Sequence, residues 1–125
     1  MLEQSDVVPA VNQVEFSPYL FQQELLAHCR NLGIHLEGYC PLVRGECFSD
    51  PPLVDIAKRY GRTVAQVLIR WALQHQVVTI PKTARRKRVL ENGDVFCFHL
   101  AEQDMALLDG LDQNKNITWD PTQVA

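Results

Sequence analysis

Five of the chain's twelve lysines and arginines fall between Lys82 and Arg88. They follow Val77-Val78-Thr79-Ile80, a β-branched run that must close at Pro81, because proline cannot continue a central ladder. The basic run itself reads as a helix from about Ala84 to Asn92, stopped at Gly93. Such a helix would aim free N–H groups at its own N-terminus, where Lys82 and Thr83 add a cation and a hydroxyl. That combination suits a phosphate. Two other readings stand beside it: a solvated basic face, and a nucleic-acid patch or nuclear localisation signal. The lack of interleaved aromatics and a net charge of -3 weigh against nucleic acid.

Two further places join a candidate strand end to residues with chemistry. Asn12-Gln13-Val14-Glu15 puts polar side chains inside a strand pattern, although strands of an all-parallel sheet are usually apolar throughout. It is either a strand edge touching water or an amide aimed at a ligand. Gly38-Tyr39-Cys40-Pro41-Leu42 ends a second strand. Tyr39 is either a core aromatic or a flat face on which a planar ring could stack. All three places lie at C-terminal ends of strands, where parallel α/β folds put their ligands. The cysteines, Cys29, Cys40, Cys47 and Cys97, have neither CxxC spacing nor a histidine at zinc-finger distance, so no metal site is expected. Scattered single thiols suit a reducing compartment.

The elements that must hold these places follow from period and punctuation. Ala10 to Phe16 reads as a strand closed by Ser17-Pro18. Gln22 to Leu32 carries Leu25, Cys29 and Leu32 at helical spacing and stops at Gly33. Ile34 to Tyr39 is a second strand, with His35, Glu37 and Tyr39 on one face. A loop through Arg44-Gly45 and Pro51-Pro52 leads to a short helix with Leu53, Ile56, Ala57 and Tyr60 on one stripe, ended by Gly61. Thr63 and Gln66 form a capping-box pattern that opens a helix reaching about His75. A last helix covers about Glu102 to Asp112, with Leu107, Leu108 and Leu111 as its apolar members. Strands alternating with helices imply βαβ units and a parallel sheet.

The whole chain is 125 residues, 46% hydrophobic and 22% charged, enough for one modest domain. A closed eight-stranded barrel typically takes about 250. The first ten residues lack the apolar core of a signal peptide, and no apolar run approaches the roughly 18 residues of a membrane span. A cytoplasmic protein without membrane or nucleic-acid partners is expected.

Taken together, these segments resemble the aldo-keto reductase family. One family signature runs Ile/Leu/Val, Pro, Lys, Ser/Thr, then an Arg five residues on, then a Glu-Asn-like pair three residues further. Here it reads Ile80-Pro81-Lys82-Thr83, Arg88, Glu91-Asn92, with Val95 closing it. Pro9-Ala10-Val11-Asn12-Gln13-Val14-Glu15 and Gly38-Tyr39-Cys40-Pro41-Leu42 are similar to the sixth and seventh strands of the family's barrel. Ala65 to Trp71 is similar to its seventh helix, and Trp119-Asp120-Pro121 resembles its ending.

The resemblance implies a partial (β/α)8 TIM barrel, about the last three parallel strands with their helices, a C-terminal helix and a tail. Residues 1–125 would be the C-terminal half of the domain, with Met1 to Val8 falling inside the fifth helix. It implies an NADP(H) site. Gln13 would bond the nicotinamide carboxamide and Tyr39 would stack on the ring. Cys40, Pro41, Leu42 and Arg44 would follow the pyrophosphate. Lys82, Thr83 and Arg88 would hold the 2′-phosphate of the adenosine ribose, and Glu91 and Asn92 would meet the adenine. Arg85, Arg86 and Lys87 are not family ligands. Cys40 departs from the common Ser or Thr, which removes a hydroxyl donor, and Val43-Arg44 departs from the Gly and Ser frequent in that loop. Glu37 and His35 would face the barrel interior, where an unpaired charge is costly.

The family reduces a small carbonyl substrate by hydride transfer, with a Tyr as proton donor supported by Lys, Asp and His. All four belong to the first half of the barrel, so no catalytic residue is expected in this chain. The expectation is therefore the cofactor-holding half of a reductase, as a fragment or a short form that self-associates or needs a complementary half. The alternative is a catalytically inactive remnant that binds a nucleotide or a protein.

Overall fold

A computed structural model describes residues 7–120. The expectations for Met1 to Asp6 and for Pro121 lie outside the described residues.

Three strands form one parallel sheet in the order β1 (Val11–Glu15), β2 (His35–Tyr39), β3 (Val78–Thr79). Between them run α1 (Gln23–Asn31), a single 3-10 turn at Val43–Gly45, α2 (Pro51–Tyr60) and α3 (Val64–Gln74). Then come α4 (Arg86–Gly93) and α5 (Glu102–Asp109). The α/β class and the partial-barrel architecture expected from the sequence are both present.

The sheet has one covered face and one open face. On β2, Leu36 and Gly38 are buried, whereas His35 is exposed and Glu37 and Tyr39 are half-buried. The covered side packs on the helices around Trp71, Phe16, Leu53, Ile56 and Leu68, all fully buried. The open side carries the exposed valines Val11 and Val78. Among the described residues no helix is long and apolar enough to cross a membrane.

Several boundaries differ from the sequence expectation for identifiable reasons. Pro51-Pro52 opens α2 instead of lying in the loop before it; proline's fixed φ suits the first helical positions, where its missing N–H is not needed. The β3 ladder is two residues long, shorter than the β-branched run. The basic helix begins at Arg86, not Ala84, because the Thr83 hydroxyl accepts the Arg85 N–H at 3.1 Å and holds Arg85 extended. α5 ends at Asp109; Leu108 is buried but Leu107 is exposed. Its anchor is polar: buried Asp104 accepts from Arg59 and, at 2.7 Å, from the Tyr60 hydroxyl, which itself accepts the Ala101 N–H at 2.8 Å. The capping box is as expected, with Thr63 Oγ1 accepting from Gln66 N at 3.3 Å and Gln66 Oε1 from Thr63 N at 3.0 Å.

Gly38 shows why β2 needs a residue without Cβ. A Cβ built there would lie 2.8 Å from Phe16 Cβ and 3.3 Å from Val77 Cγ1. Phe16 Cβ is anchored to its own backbone and cannot swing away. Gly38→Ala is therefore expected to destabilise the fold by about 1–3 kcal/mol through overpacking. A urea titration would show it as a lower midpoint with an unchanged slope.

Candidate functional site

Seven of the eleven expected cofactor residues converge on one cleft. Leu42, Arg44, Lys82, Thr83, Arg88, Glu91 and Asn92 line a hollow of about 350 Å³, together with Gly45, Phe48 and Ala65. The loop after β2 supplies one wall and the segment from Lys82 through α4 the other. Three cations, Arg44, Lys82 and Arg88, face one carboxylate, Glu91, so the cleft carries a local positive excess suited to a multiply charged anion.

The loop wall is held in an uncommon conformation. Cys40, Val43 and Arg44 have φ of 51°, 48° and 51°, and Gly45 follows at 84°. A β-branched residue at positive φ costs of order 1–3 kcal/mol and persists only where packing dictates it. Val43 is buried, as are Pro41 and Cys47 on either side of the turn. Behind it the Tyr19 hydroxyl donates to Asp50, the residue that precedes α2. Burial pushes the Cys47 thiol up to about 11, with nearby Asp50 adding to the effect. That thiol is a packing group, not a nucleophile, at neutral pH.

The other wall is positioned from α3. Gln66 is buried; its amide nitrogen donates to the carbonyls of Glu91, at 3.2 Å, and Asp94, at 2.8 Å. Arg62 reinforces this corner by bonding Asp94 at 2.7 Å and lying 5.1 Å from the centre of the Phe98 ring. The capping pattern assigned Gln66 Oε1 to Thr63, but nothing in sequence spacing shows that Nε2 would fix the end of α4. Thr83 corrects one sequence expectation. It does not stand at the helix N-terminus but three residues before α4, and its hydroxyl already accepts from Arg85.

Gln13 and Tyr39 lie apart from that cleft, on the open face of the sheet. They line a second hollow of about 660 Å³ with Val14, Glu15, Leu20, Gln22 and the tail residues Asn114, Asn116, Trp119 and Asp120. Cys40 and Pro41 join the two regions along the chain. Gln13 and Glu37 are register partners on β1 and β2, and Gln13 Nε2 donates to Glu37 Oε1 at 2.5 Å. Glu37 thus has the partner that the sequence could not name. One hydrogen of the Gln13 amide nitrogen is engaged there, and the carbonyl oxygen is the acceptor it can offer a ligand amide. His35 is exposed on the same face.

The three tyrosines are all tied into the structure. Tyr19 bonds Asp50, Tyr60 bonds Asp104, and the Tyr39 hydroxyl lies 3.4 Å from Thr118 Oγ1. Burial, then the bond to Asp50, raises Tyr19 well above its ordinary value; burial also raises Tyr60.

Known proteins have chains and folds similar to this one. The family model of the aldo/keto reductase family matches residues 1–113. The glyoxal reductase of Bacillus subtilis (strain 168) is 41% identical over 124 residues, which cover 99% of this chain and 45% of that protein. Morphine 6-dehydrogenase of Pseudomonas putida is 42% identical over 137 aligned residues, covering 99% of this chain and 46% of that protein. A solved structure of a Gox0644 variant in complex with NADPH superposes with a TM-score of 0.93 at 37% identity, covering 99% of this chain and 46% of that one. This chain thus spans less than half the length of each of these relatives.

Proposed function

The chain belongs to the aldo/keto reductase family, and from that premise we propose that residues 1–125 are the NADP(H)-holding, C-terminal half of a carbonyl-reducing oxidoreductase domain. The observation that carries this reading is the cleft in which Arg44, Lys82 and Arg88 meet Thr83, Glu91 and Asn92. An adenosine carrying a 2′-phosphate presents a dianion beside a flat base, and the cleft offers three cations beside a carboxylate and a buried amide. Similarity to a protein solved with NADPH supports the same assignment.

In this reading Lys82 and Arg88 hold the 2′-phosphate, with the Thr83 hydroxyl beside them. Glu91 and Asn92 meet the adenine, at a helix end fixed by Gln66. The strained turn from Cys40 to Arg44, Pro41 and Leu42 included, carries the pyrophosphate. Tyr39 offers its ring face to the nicotinamide and Gln13 its carbonyl oxygen to the carboxamide. The cofactor, when bound, supplies the hydride that reduces a small carbonyl compound. The proton donor and its partners lie with the other half of the barrel, which also covers the exposed valines of the open face and pairs with the sheet edges.

Titration of the protein with NADPH and with NADH tests the assignment. NADPH is expected to bind tighter by on the order of tenfold or more, because only it brings the extra dianion to the cations. Equal affinities would sink the placement of the phosphate at Lys82 and Arg88.

A further inference from the structure

We propose that Glu15 is a positioning residue that latches the tail after α5 onto the end of β1 and, through Thr118, holds the Tyr39 ring in place. The part concerning Tyr39 rests on the function proposed above; the latch itself does not.

Glu15 is 2% exposed, unusual for a carboxylate at the rim of an open sheet face. Its charge is met by the tail. The Ile117 N–H donates to Oε1 at 2.6 Å, the Thr118 N–H to Oε2 at 3.1 Å, and the Thr118 hydroxyl to Oε2 at 2.6 Å. Three donors on one carboxylate make its burial tolerable and make the contact stronger than neutral hydrogen bonds would be. The Thr118 hydroxyl gives its proton to Glu15, so at 3.4 Å from Tyr39 it can only accept from that phenol. The chain of contacts then runs from the Tyr39 hydroxyl to Thr118 to Glu15.

The tail is pinned a second time, upstream. The N–H groups of Gln113 and Lys115 both donate to the Tyr19 carbonyl at 3.1 Å. Between the two pins the tail bears no helix or strand, so its path depends on these bonds and on Ile117, half-buried against the core. Asn116, between them, and Trp119, just beyond and 65% exposed, form part of the hollow shared with Tyr39. Releasing Glu15 removes the downstream pin and opens that wall, while the helical core beneath the sheet keeps its contacts.

The test is limited trypsin digestion of wild-type protein, Glu15→Ala and Glu15→Gln, reading cleavage after Lys115 in the tail and after Lys58 in α2, beside NADPH titrations of the same samples. Glu15→Ala is expected to speed cleavage at Lys115 on the order of tenfold, with Lys58 unchanged. Glu15→Gln keeps a carbonyl oxygen as acceptor and is expected to fall between the two. NADPH affinity is expected to weaken severalfold in Glu15→Ala, with partial rescue in Glu15→Gln. Cleavage at Lys115 that ignores both substitutions, or that rises only in step with Lys58, overturns the latch. Faster cleavage at Lys115 with unaltered NADPH affinity overturns the hold on Tyr39. A wild-type protein that binds no NADPH but shows the tail response retains the latch and loses the proposed function instead.

Discussion

Lys82→Met is expected to weaken binding of the 2′-phosphorylated cofactor about tenfold, a loss of roughly 1.5 kcal/mol for one charge-assisted contact, and to leave its unphosphorylated counterpart untouched. The side chain is exposed at the rim of the cleft, so the lower end of the range for charged hydrogen bonds applies. Methionine keeps most of the stem's length and apolar contact, so the change isolates the ammonium. Adenosine 2′,5′-bisphosphate and adenosine 5′-monophosphate are the cleanest probes. Under the proposed assignment both would occupy only the cleft of Arg44, Lys82, Arg88, Glu91 and Asn92, and they differ by the 2′-phosphate alone. Calorimetric titration should show the bisphosphate losing affinity and the monophosphate keeping it. Raised salt should weaken the bisphosphate more than the monophosphate, since the exposed contact to the 2′-phosphate adds to what salt screens. Equal losses for both probes would mean that Lys82 supports the cleft's shape instead of reading the phosphate.

Why Lys82 could be singled out from sequence, and Glu15 could not, has a physical basis. Lys82 belongs to a local pattern: a β-branched run, a proline, a cation and a hydroxyl, then a helix. Each part constrains the next within a dozen residues. The strand order and helix stops were legible for the same reason. Gly33 and Gly61 end helices with φ of 71° and 60°, and the Thr63–Gln66 box opens one. Glu15 instead meets donors 102 and 103 residues away, in a tail without periodicity. Its side chain could be seen as odd in a strand but not as bonded. Glu37 lay between these cases; its partner Gln13 follows once the register of β1 on β2 is fixed, and strand register is a tertiary fact. The positive φ of Val43 had no signal at all, since nothing in its type favours that region and only the packing of its buried side chain imposes it. The start of α4 was misplaced because a run of charges has no apolar period, and one local bond from the Arg85 N–H to Thr83 decides it.

Trp71→Ala is expected to cost about 3–5 kcal/mol, a large share of the roughly 5–15 kcal/mol that holds a domain folded. Trp71 is fully buried at the centre of the covered face. Its ring stacks on Phe16 with centroids 5.0 Å apart and meets the edge of Phe21 at 5.4 Å. Its indole N–H donates to Asp109 Oδ1 at 2.7 Å, an oxygen that His75 Nε2 also approaches at 2.8 Å. The residue therefore ties α3 to the strand end through Phe16 and to α5 through Asp109. Trp71→Phe separates the two roles. It keeps an aromatic partner for Phe16 and Phe21 and drops only the donor and one ring, so about 1–2 kcal/mol is expected. Urea unfolding of both variants checks the ranking. If the phenylalanine variant is as unstable as the alanine variant, the bond to α5, and not the aromatic stack, is what Trp71 contributes. The consequence reaches the site as well. Phe16 follows Glu15 directly and closes against Gly38, the residue before Tyr39. A core that settles into the space left by the indole moves Phe16 first, and with it the two strand ends that carry Glu15 and Tyr39. Loss of affinity for the nicotinamide portion of the cofactor should then accompany loss of stability in Trp71→Ala, while binding of adenosine 2′,5′-bisphosphate to the separate cleft at Lys82 and Arg88 should fall less.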